Sequence, residues 1–511
     1  MRLTGKVPFW LRLLLAPFAG MLVPLSLAPY EWWGLGLLSS GFLAAITYRE
    51  SASRSLLLGL AFGLGMYGLG ASWVYISINQ FGSTSVPLAL LLTSLFVAGL
   101  ALCFSLPFYV YGRWFNKTTL GLLVGFPAIW VLNEWARSWF LTGFPWLYLG
   151  YAHLQTPLGG WAPVLGVFGV GYIATYSSCV LLAMRLRDLP MKAQWGALSL
   201  ALLLWIGGAA LRTVEWTTLE SEPISLGMAQ ANIPQERKWD PMYLNETFRI
   251  FNDLSAPLWD LDWVIWPEAA IPLLYHDALA DLESLAHQAD RTNTAFITGI
   301  LYDDHEKQQY YNSIVAVGKG SGITFKTRLV PFGEYVPMER WLRGLIDFFN
   351  LPTSVINPGP KYVDGLQAKG VVIAPSICYE VVYPDLVAGR AANANVLLTV
   401  SNDSWFGHSI GPLQHFEMAQ MRALETGRYM VRATNNGVSG IIDPKGRIVV
   451  KGGRSTREAI VGQVFAASGI TPFIFWGSKP VVLLAFAMLA ILAVQLRTAR
   501  RRLTTEQQAA I

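Results

Sequence analysis

At 511 residues the chain exceeds one ordinary domain, and 53% hydrophobic against 14% charged residues, with 20 tryptophans, describe a membrane protein averaged with a soluble one. The net charge of +5 does not point to nucleic acid, because the lysines and arginines fall mainly between apolar segments. Of the three cysteines, Cys103 and Cys179 lie in apolar stretches and Cys378 stands alone far beyond them, which excludes a disulfide within its own domain.

Seven apolar stretches of near-spanning length come first, at 8–27, 31–47, 55–78, 86–111, 119–136, 163–184 and 194–211, and an eighth covers 480–496. Each approaches the roughly 20 residues that cross a bilayer as a helix. The first has a basic front (Arg2, Lys6, Arg12) and a weak small-x-small site near Ser26–Ala28, as a signal peptide would. The dense series of spans that follows favours a retained helix. Arg49 and Arg54, Arg113 and Lys117, Arg185, Arg187 and Lys192, and Arg497, Arg500, Arg501 and Arg502 fall in alternate loops. Cations mark the cytoplasmic side, so both termini are expected there. The region between spans seven and eight then faces outward, into the periplasm of a Gram-negative cell. The expected organisation is spans one to seven in 1–212, an outer domain in 220–468, span eight in 479–497 and a cytoplasmic tail in 498–511. The aromatic loop 137–162 reads as an interfacial belt or as a partly re-entrant lipid-binding floor. Glu134 and Arg137, at a span end, are expected to snorkel or to pair with the outer domain.

In the outer domain, β-rich runs alternate with helical patterns. Strands are expected at 224–231, 263–266, 295–300, 313–317, 371–377, 396–400, 429–433, 438–442 and 448–450, and helices near 240–256, 277–291 and 412–426. Asp443–Gly446 marks a hairpin turn. This alternation predicts sheets covered by helices. Pro375 is expected to close or bend its strand.

Three segments each join an apolar run to a side chain able to do chemistry: Glu268 after Trp263–Trp266, Lys326 at the front of KTRLVPFGE, and Cys378 after Val371–Ile377. A thiol nucleophile needs a base, a carboxylate in a partly dry pocket can serve, and a fixed cation can stabilise an oxyanion. Taken singly, each residue also has a plain reading: Glu268 as a helix cap, Lys326 as a solvated edge-strand lysine, Cys378 as a buried thiol. The histidines do not cluster at ligand spacing, so no metal or cofactor is expected. His408 and His415 leave a Cys–His pair as an alternative. The stretch 337–360, with WLRGLIDFFNL at its centre, reads as an arm that dips into the bilayer surface or as a packed helical insertion. Trp405–Gly407 reads as a second lid.

Together WPE (266–268), KTRLVPFGEYVP (326–337), ICYE (377–380), SNDSWFG (401–407) and ANIPQ (231–235), with Lys238–Asp240, resemble the nitrilase superfamily. With the spans they resemble, more narrowly, its membrane-bound branch, the apolipoprotein N-acyltransferase family; alanine stands at 231 where glycine is usual. The resemblance implies a polytopic α-helical membrane domain plus an α/β domain built as a nitrilase-like αββα sandwich. It implies a Glu268–Lys326–Cys378 triad acting as base, oxyanion partner and nucleophile, with the amide of Tyr379 completing the oxyanion hole. Glu334, Glu380 and Trp239 match further positions important in the family. Trp239, Trp405, Phe348 and Phe349 are expected to bind the lipid substrates. The implied reaction moves the sn-1 acyl chain of a phospholipid, through a cysteine thioester, to the α-amine of a diacylglyceryl-modified apolipoprotein. Membrane lipids are the other expected partner, nucleic acid is not, and a monomer is expected.

A membrane-tethered amidase acting on small amides shares the triad, but a small polar substrate needs neither eight spans nor an apolar arm. A transporter usually carries charges near mid-bilayer, and here charges fall in loops or at span ends. A non-catalytic module on the same fold would have lost a triad member, and all three are present.

Overall fold

The structure is a computed structural model describing residues 7–82, 84–186, 189–331, 333–335, 356–360 and 365–509. The chain divides into two compact units: 1–72, 92–214 and 478–511 form one, and 73–91 with 215–477 the other.

The first unit is helical. Of the described helices, five are long and apolar enough to cross a bilayer: Ala52–Gly70, Val86–Phe115, Pro157–Ala183, Met191–Leu211 and Lys479–Thr498. Phe9–Leu25, Trp33–Thr47 and Gly121–Ala136 are apolar and shorter. Glu134 and Arg137 do not reach for water: both are buried. Glu134 accepts from the Leu149 amide (2.8 Å) and the Trp130 indole (3.0 Å), and Arg137 donates to the Trp146 carbonyl at 3.0 Å. The Arg137 guanidinium also lies over the rings of Tyr67 and Tyr148. Trp146, Tyr148 and Tyr151 are therefore core side chains rather than an interfacial belt, while Trp139 remains exposed. Burying charge requires partners, and the 146–149 backbone supplies them.

The second unit contains two seven-stranded sheets. In chain order its first strands are β1 (Thr218–Gln230), β2 (Trp263–Ile265), β3 (Ile271–Leu274), β4 (Ala295–Asp304), β5 (Gln309–Gly318), β6 (Gly320–Ser321) and β7 (Ile323–Phe325). The remainder are β8 (Leu366–Ala368), β9 (Val371–Ile377), β10 (Val396–Ser401), β11 (Met430–Thr434), β12 (Gly440–Ile442), β13 (Ile448–Lys451) and β14 (Glu458–Ser468). One sheet has the order β14-β1-β2-β4-β5-β7, with β3 on β4; the other runs β13-β12-β11-β10-β9-β8-β6.

Each sheet has the same kind of centre. Strands β1, β2 and β4 are parallel and joined through helices α1 (Leu244–Ser255) and α2 (Leu279–Arg291). Strands β9, β10 and β11 are parallel and joined through α3 (Pro384–Ala391) and α4 (Gly411–Thr426). Parallel neighbours need such crossovers, and the helices cover the outer faces. Leu226, Met228, Ile265, Ile297 and Ile314 of one sheet share a buried core with Ile373, Leu398, Val431 and Ile441 of the other. On the far face of the first sheet, Ile250 and Phe251 of α1 and Leu282, Leu285 and Ala289 of α2 pack against Val264, Phe296 and Ile300. Helix α4 stops at Gly427, whose φ of 63° gives the left-handed cap that a side chain resists.

Two expectations differ from this structure. Strand β9 is not closed by Pro375 but continues through it, and Pro375 pairs with Leu398. The Pro375 carbonyl accepts from Arg390 at 2.8 Å, so that edge of the residue faces away from β10. Strand β8 reaches only Val371–Ile373, and the missing N–H therefore costs no ladder bond. The third apolar helix ends at Gly70 rather than near 78. Residues beyond it join the second unit, where Ser77 Oγ donates to the Trp405 carbonyl at 2.7 Å.

Candidate active site

The groups singled out from sequence gather at carboxyl ends of strands. Cys378 follows β9, Glu268 follows β2 by three residues, and Lys326 follows β7 directly. Crevices at strand carboxyl ends are where open α/β sheets place ligands. Glu268 reaches its place because β4 has glycine at 299: a Cβ there would lie 2.6 Å from the Ala269 nitrogen and 2.7 Å from Glu268 Cα. Cys378 has φ of 50°, left-handed for a residue with a side chain. Such strain is held only by surrounding structure, and it marks the turn from β9 into the short 3-10 helix Cys378–Val382.

Lys326 is 1% exposed, which excludes a solvated edge lysine. Its Nζ is 2.8 Å from Glu334 Oε1 and 3.5 Å from Glu268 Oε1. Asn312 Nδ2 donates to both carboxylates, at 2.8 Å to Glu268 and 3.1 Å to Glu334. The Asn402 amide donates to Glu268 Oε2 at 2.7 Å, and Lys238 Nζ to the Glu268 carbonyl at 3.0 Å. Glu268 is thus no helix cap; one carboxylate oxygen is aimed by Asn312 of β5 and the other by the Asn402 amide just past β10, while Lys238 holds the backbone carbonyl. Asn312, Asn402 and Lys238 received no role from sequence. Lys238 and Asn402 lie inside the quoted motifs, whereas Asn312 carries no local signal, being brought in by the β4–β5 register.

Burial pushes the Cys378 thiol up to about 12; Glu268 adds to the rise and Lys326 opposes it. The resting residue is a thiol and needs a base at the moment of attack. Burial lowers Lys326, but Glu334 and Glu268 outweigh it and hold the ammonium above the ordinary lysine range. Lys238 falls to about 8 through burial, against the pull of Glu268 and Cys378.

Glu380 faces elsewhere. One oxygen accepts from the Thr327 amide (2.7 Å), the Thr327 hydroxyl (2.8 Å) and the Arg328 amide (3.2 Å). The other accepts from the Ile377 amide at 2.9 Å, and Arg390 grips both oxygens at 2.9 and 2.7 Å. It ties the neighbour of Lys326 to the neighbour of Cys378.

His415 does not form a Cys–His pair. Its Nε2 lies 3.2 Å from the Cys378 carbonyl, not the sulfur, and a carbonyl requires a donor, so Nε2 carries hydrogen. Burial, then Arg432, hold its pKa below the ordinary imidazole value, and Nδ1 lies 3.0 Å from Arg432 and 3.2 Å from Asp403 Oδ1. Arg432 also holds the buried Asp403 at 2.8 Å. His415 therefore braces the strained turn.

Tyr379 is buried in the first turn of the Cys378 helix, the end at which backbone N–H groups lack helical acceptors. Trp239 is 37% exposed, beside the Lys238 ammonium. The Trp405 ring meets Phe81, and Phe406 meets Trp73, so this segment is docked rather than a free-standing lid. Phe348 and Phe349 lie outside the described residues, as does most of the expected arm.

Residues 19–180 match the family model for the apolipoprotein N-acyltransferase N-terminal domain, and residues 226–468 the carbon-nitrogen hydrolase model. Proteins called apolipoprotein N-acyltransferase are similar over nearly the whole chain. One from Pseudomonas aeruginosa is 46% identical over 97% of this chain and 98% of its own length. One from Pseudomonas syringae pv. tomato is 43% identical over 96% and 98%. One from Coxiella burnetii is 38% identical over 94% and 99%.

Proposed function

We propose that this chain, which belongs to the apolipoprotein N-acyltransferase family, acylates the N-terminus of lipoproteins through a thioester on Cys378. The acyl donor is a membrane phospholipid, attacked at its sn-1 ester. The acceptor is the α-amine of the diacylglyceryl-modified N-terminal cysteine of an apolipoprotein. The observation that carries the reading is Lys326 fixed between Glu268 and Glu334, with both Glu268 and Lys326 acting electrostatically on Cys378.

In the first half-reaction Glu268 takes the thiol proton as sulfur attacks the ester carbonyl. Lys326, with the Tyr379 amide, stabilises the oxyanion, and collapse expels the lysophospholipid alkoxide, which receives the proton from Glu268. In the second half the acceptor amine attacks the thioester, Glu268 removes an ammonium proton, and the thiol leaves as the amide forms. Aiming both Glu268 oxygens beforehand avoids reorganisation in the transition state.

Incubating the purified chain with phospholipid and no acceptor is expected to leave an acyl group on Cys378, seen by peptide mass spectrometry and removed when a diacylated lipopeptide is added. An adduct that forms on another residue, or one that the lipopeptide does not discharge, overturns the reading.

The same proposal carries the topology: eight membrane-spanning helices, the 220–468 domain in the periplasm and both termini in the cytoplasm, as the alternating loop charge supports. Cysteines introduced near 305 are expected to react with an impermeant maleimide added to spheroplasts, and cysteines after 505 only after lysis. The opposite pattern reverses the orientation.

A further inference from the structure

Away from the triad, the second unit brings together three metal-ligating side chains that are scattered in sequence. His276 lies in the turn after β3, Asp303 near the end of β4, and His305 in the β4–β5 hairpin. His276 Nδ1 is 2.9 Å from one Asp303 oxygen, and His305 Nε2 is 2.6 Å from the other. The donor atoms of all three lie within 4.8 Å of one another, and the imidazole centroids are 4.5 Å apart.

Charge makes this more than a hydrogen-bonded surface cluster. The Asp303 side chain is only 7% exposed. Among the described residues its ion-pair partners are these two imidazoles alone; the nearby Lys307 pairs with Asp304. Among the described residues no lysine or arginine pairs with this carboxylate.

The backbone beneath it is fixed. The His276 amide donates to Asp303 at 3.2 Å and the Tyr275 amide to the Leu301 carbonyl at 2.8 Å. Asp304 closes the hairpin by accepting from the Glu306 and Lys307 amides at 3.1 and 3.0 Å. The imidazoles are free to adjust, with side chains 37% and 68% exposed. A tetrahedral zinc with bonds of about 2.0–2.2 Å spaces its ligand atoms roughly 3.4 Å apart. Small rotations of two exposed rings reach that spacing.

The geometry points to a second site on this chain: His276, Asp303 and His305 bind one borderline-soft divalent cation, of which zinc is the type, with water completing the shell. Two imidazoles and one carboxylate suit zinc, copper or nickel and are poor for magnesium or calcium, which take oxygen. The site is structural to the hairpin and independent of the acyl-transfer chemistry. Asp303 is opposite Tyr310 on β5. Tyr310 in turn receives the chain at Asn357, whose amide donates to the Tyr310 carbonyl at 2.7 Å. An ion here would stiffen the hairpin that also carries Asn312.

The test uses the untagged full chain in detergent micelles, stripped with chelator and titrated calorimetrically with zinc chloride and, separately, magnesium chloride. One zinc per chain and no magnesium response are expected. The double variant His276→Ala/His305→Ala should abolish the zinc step while its chelated form keeps the wild-type melting temperature. Cobalt should give the wild type a visible absorption band of a nitrogen- and oxygen-ligated tetrahedral ion, weakened in His305→Ala alone. The proposal is overturned if zinc shows no saturable step, if the double variant titrates like wild type, or if cobalt absorption is unchanged in His305→Ala.

Discussion

Replacing Lys326 with methionine is expected to lower acyl transfer by at least about 10²–10³-fold, the typical loss when an oxyanion donor is removed. It is also expected to destabilise the second unit, because the ammonium is the cation between two buried carboxylates. Removing one partner of a buried ion pair costs about 3–5 kcal/mol, since the other charge stays buried without compensation. The pH sign follows from the raised ammonium. A lysine held above its unfolded value contributes stability that is full below about 10.4 and is lost only as pH rises through the folded value. The destabilisation of the variant should therefore be undiminished at neutral pH. Arginine should not restore activity, because its planar fork cannot occupy the place of a point charge between Glu268 and Glu334. Single-turnover acylation of Cys378 and urea unfolding report the two effects separately. Wild-type acylation in Lys326→Met would remove the lysine from the chemistry; unchanged unfolding would show that the carboxylates do not depend on it.

Breaking the Glu380–Arg390 pair is the second large effect. Glu380→Gln or Arg390→Ala should each cost about 3–5 kcal/mol, because both side chains are almost fully buried and doubly bonded. Arg390→Lys should recover little, since one ammonium cannot replace two parallel bonds. Acylation should fall as well, through loss of position: Glu380 joins Thr327 to Ile377, and so sets the separation of Lys326 and Cys378. Burial opposes ionisation of Glu380, but Arg390 and the amides of Ile377 and Thr327 hold its carboxyl below the usual glutamate range. A depressed carboxyl contributes stability present above the unfolded value of about 4.3 and lost as pH falls through the folded one. Unfolding midpoints measured from pH 7 downward should thus fall more steeply below about 4.3 in wild type than in Glu380→Gln. Parallel curves would deny Glu380 its part in the acid response.

Several features were legible because they are written in local patterns. Eight apolar runs recur as eight apolar helices, five of them of spanning length, since the length and polarity of a stretch are properties of the stretch itself. The β9–β10–β11 core was legible for the same reason: buried parallel strands read as short β-branched runs between helical patterns. The motifs likewise marked Glu268, Lys326 and Cys378 before any contact was known. Strand β14, however, gave no signal, although it makes a ten-residue antiparallel pairing with β1. Only alternate positions of a sheet-edge strand face the core, and β14 mixes small and polar residues with apolar ones. The helix Pro384–Ala391 was missed because a short helix carries too little period to be read.

What the sequence could not decide is which polar groups meet. Asn312 looks like any strand asparagine until the β4–β5 register and the β7 pairing set it between Glu268 and Glu334. Glu380 stands two residues from Cys378 in sequence, yet its carboxylate turns to Arg390, because a buried carboxylate goes where donors converge. His276 and His305 are 29 positions apart, and only the pairing of β3 with β4 gives them one carboxylate to share. Segment character, helix or strand, apolar or polar, is set by neighbours along the chain and was present in the sequence. The assignment of each buried charge to its partner depends on distances of a few ångströms across elements, which exist only once the sheets have paired.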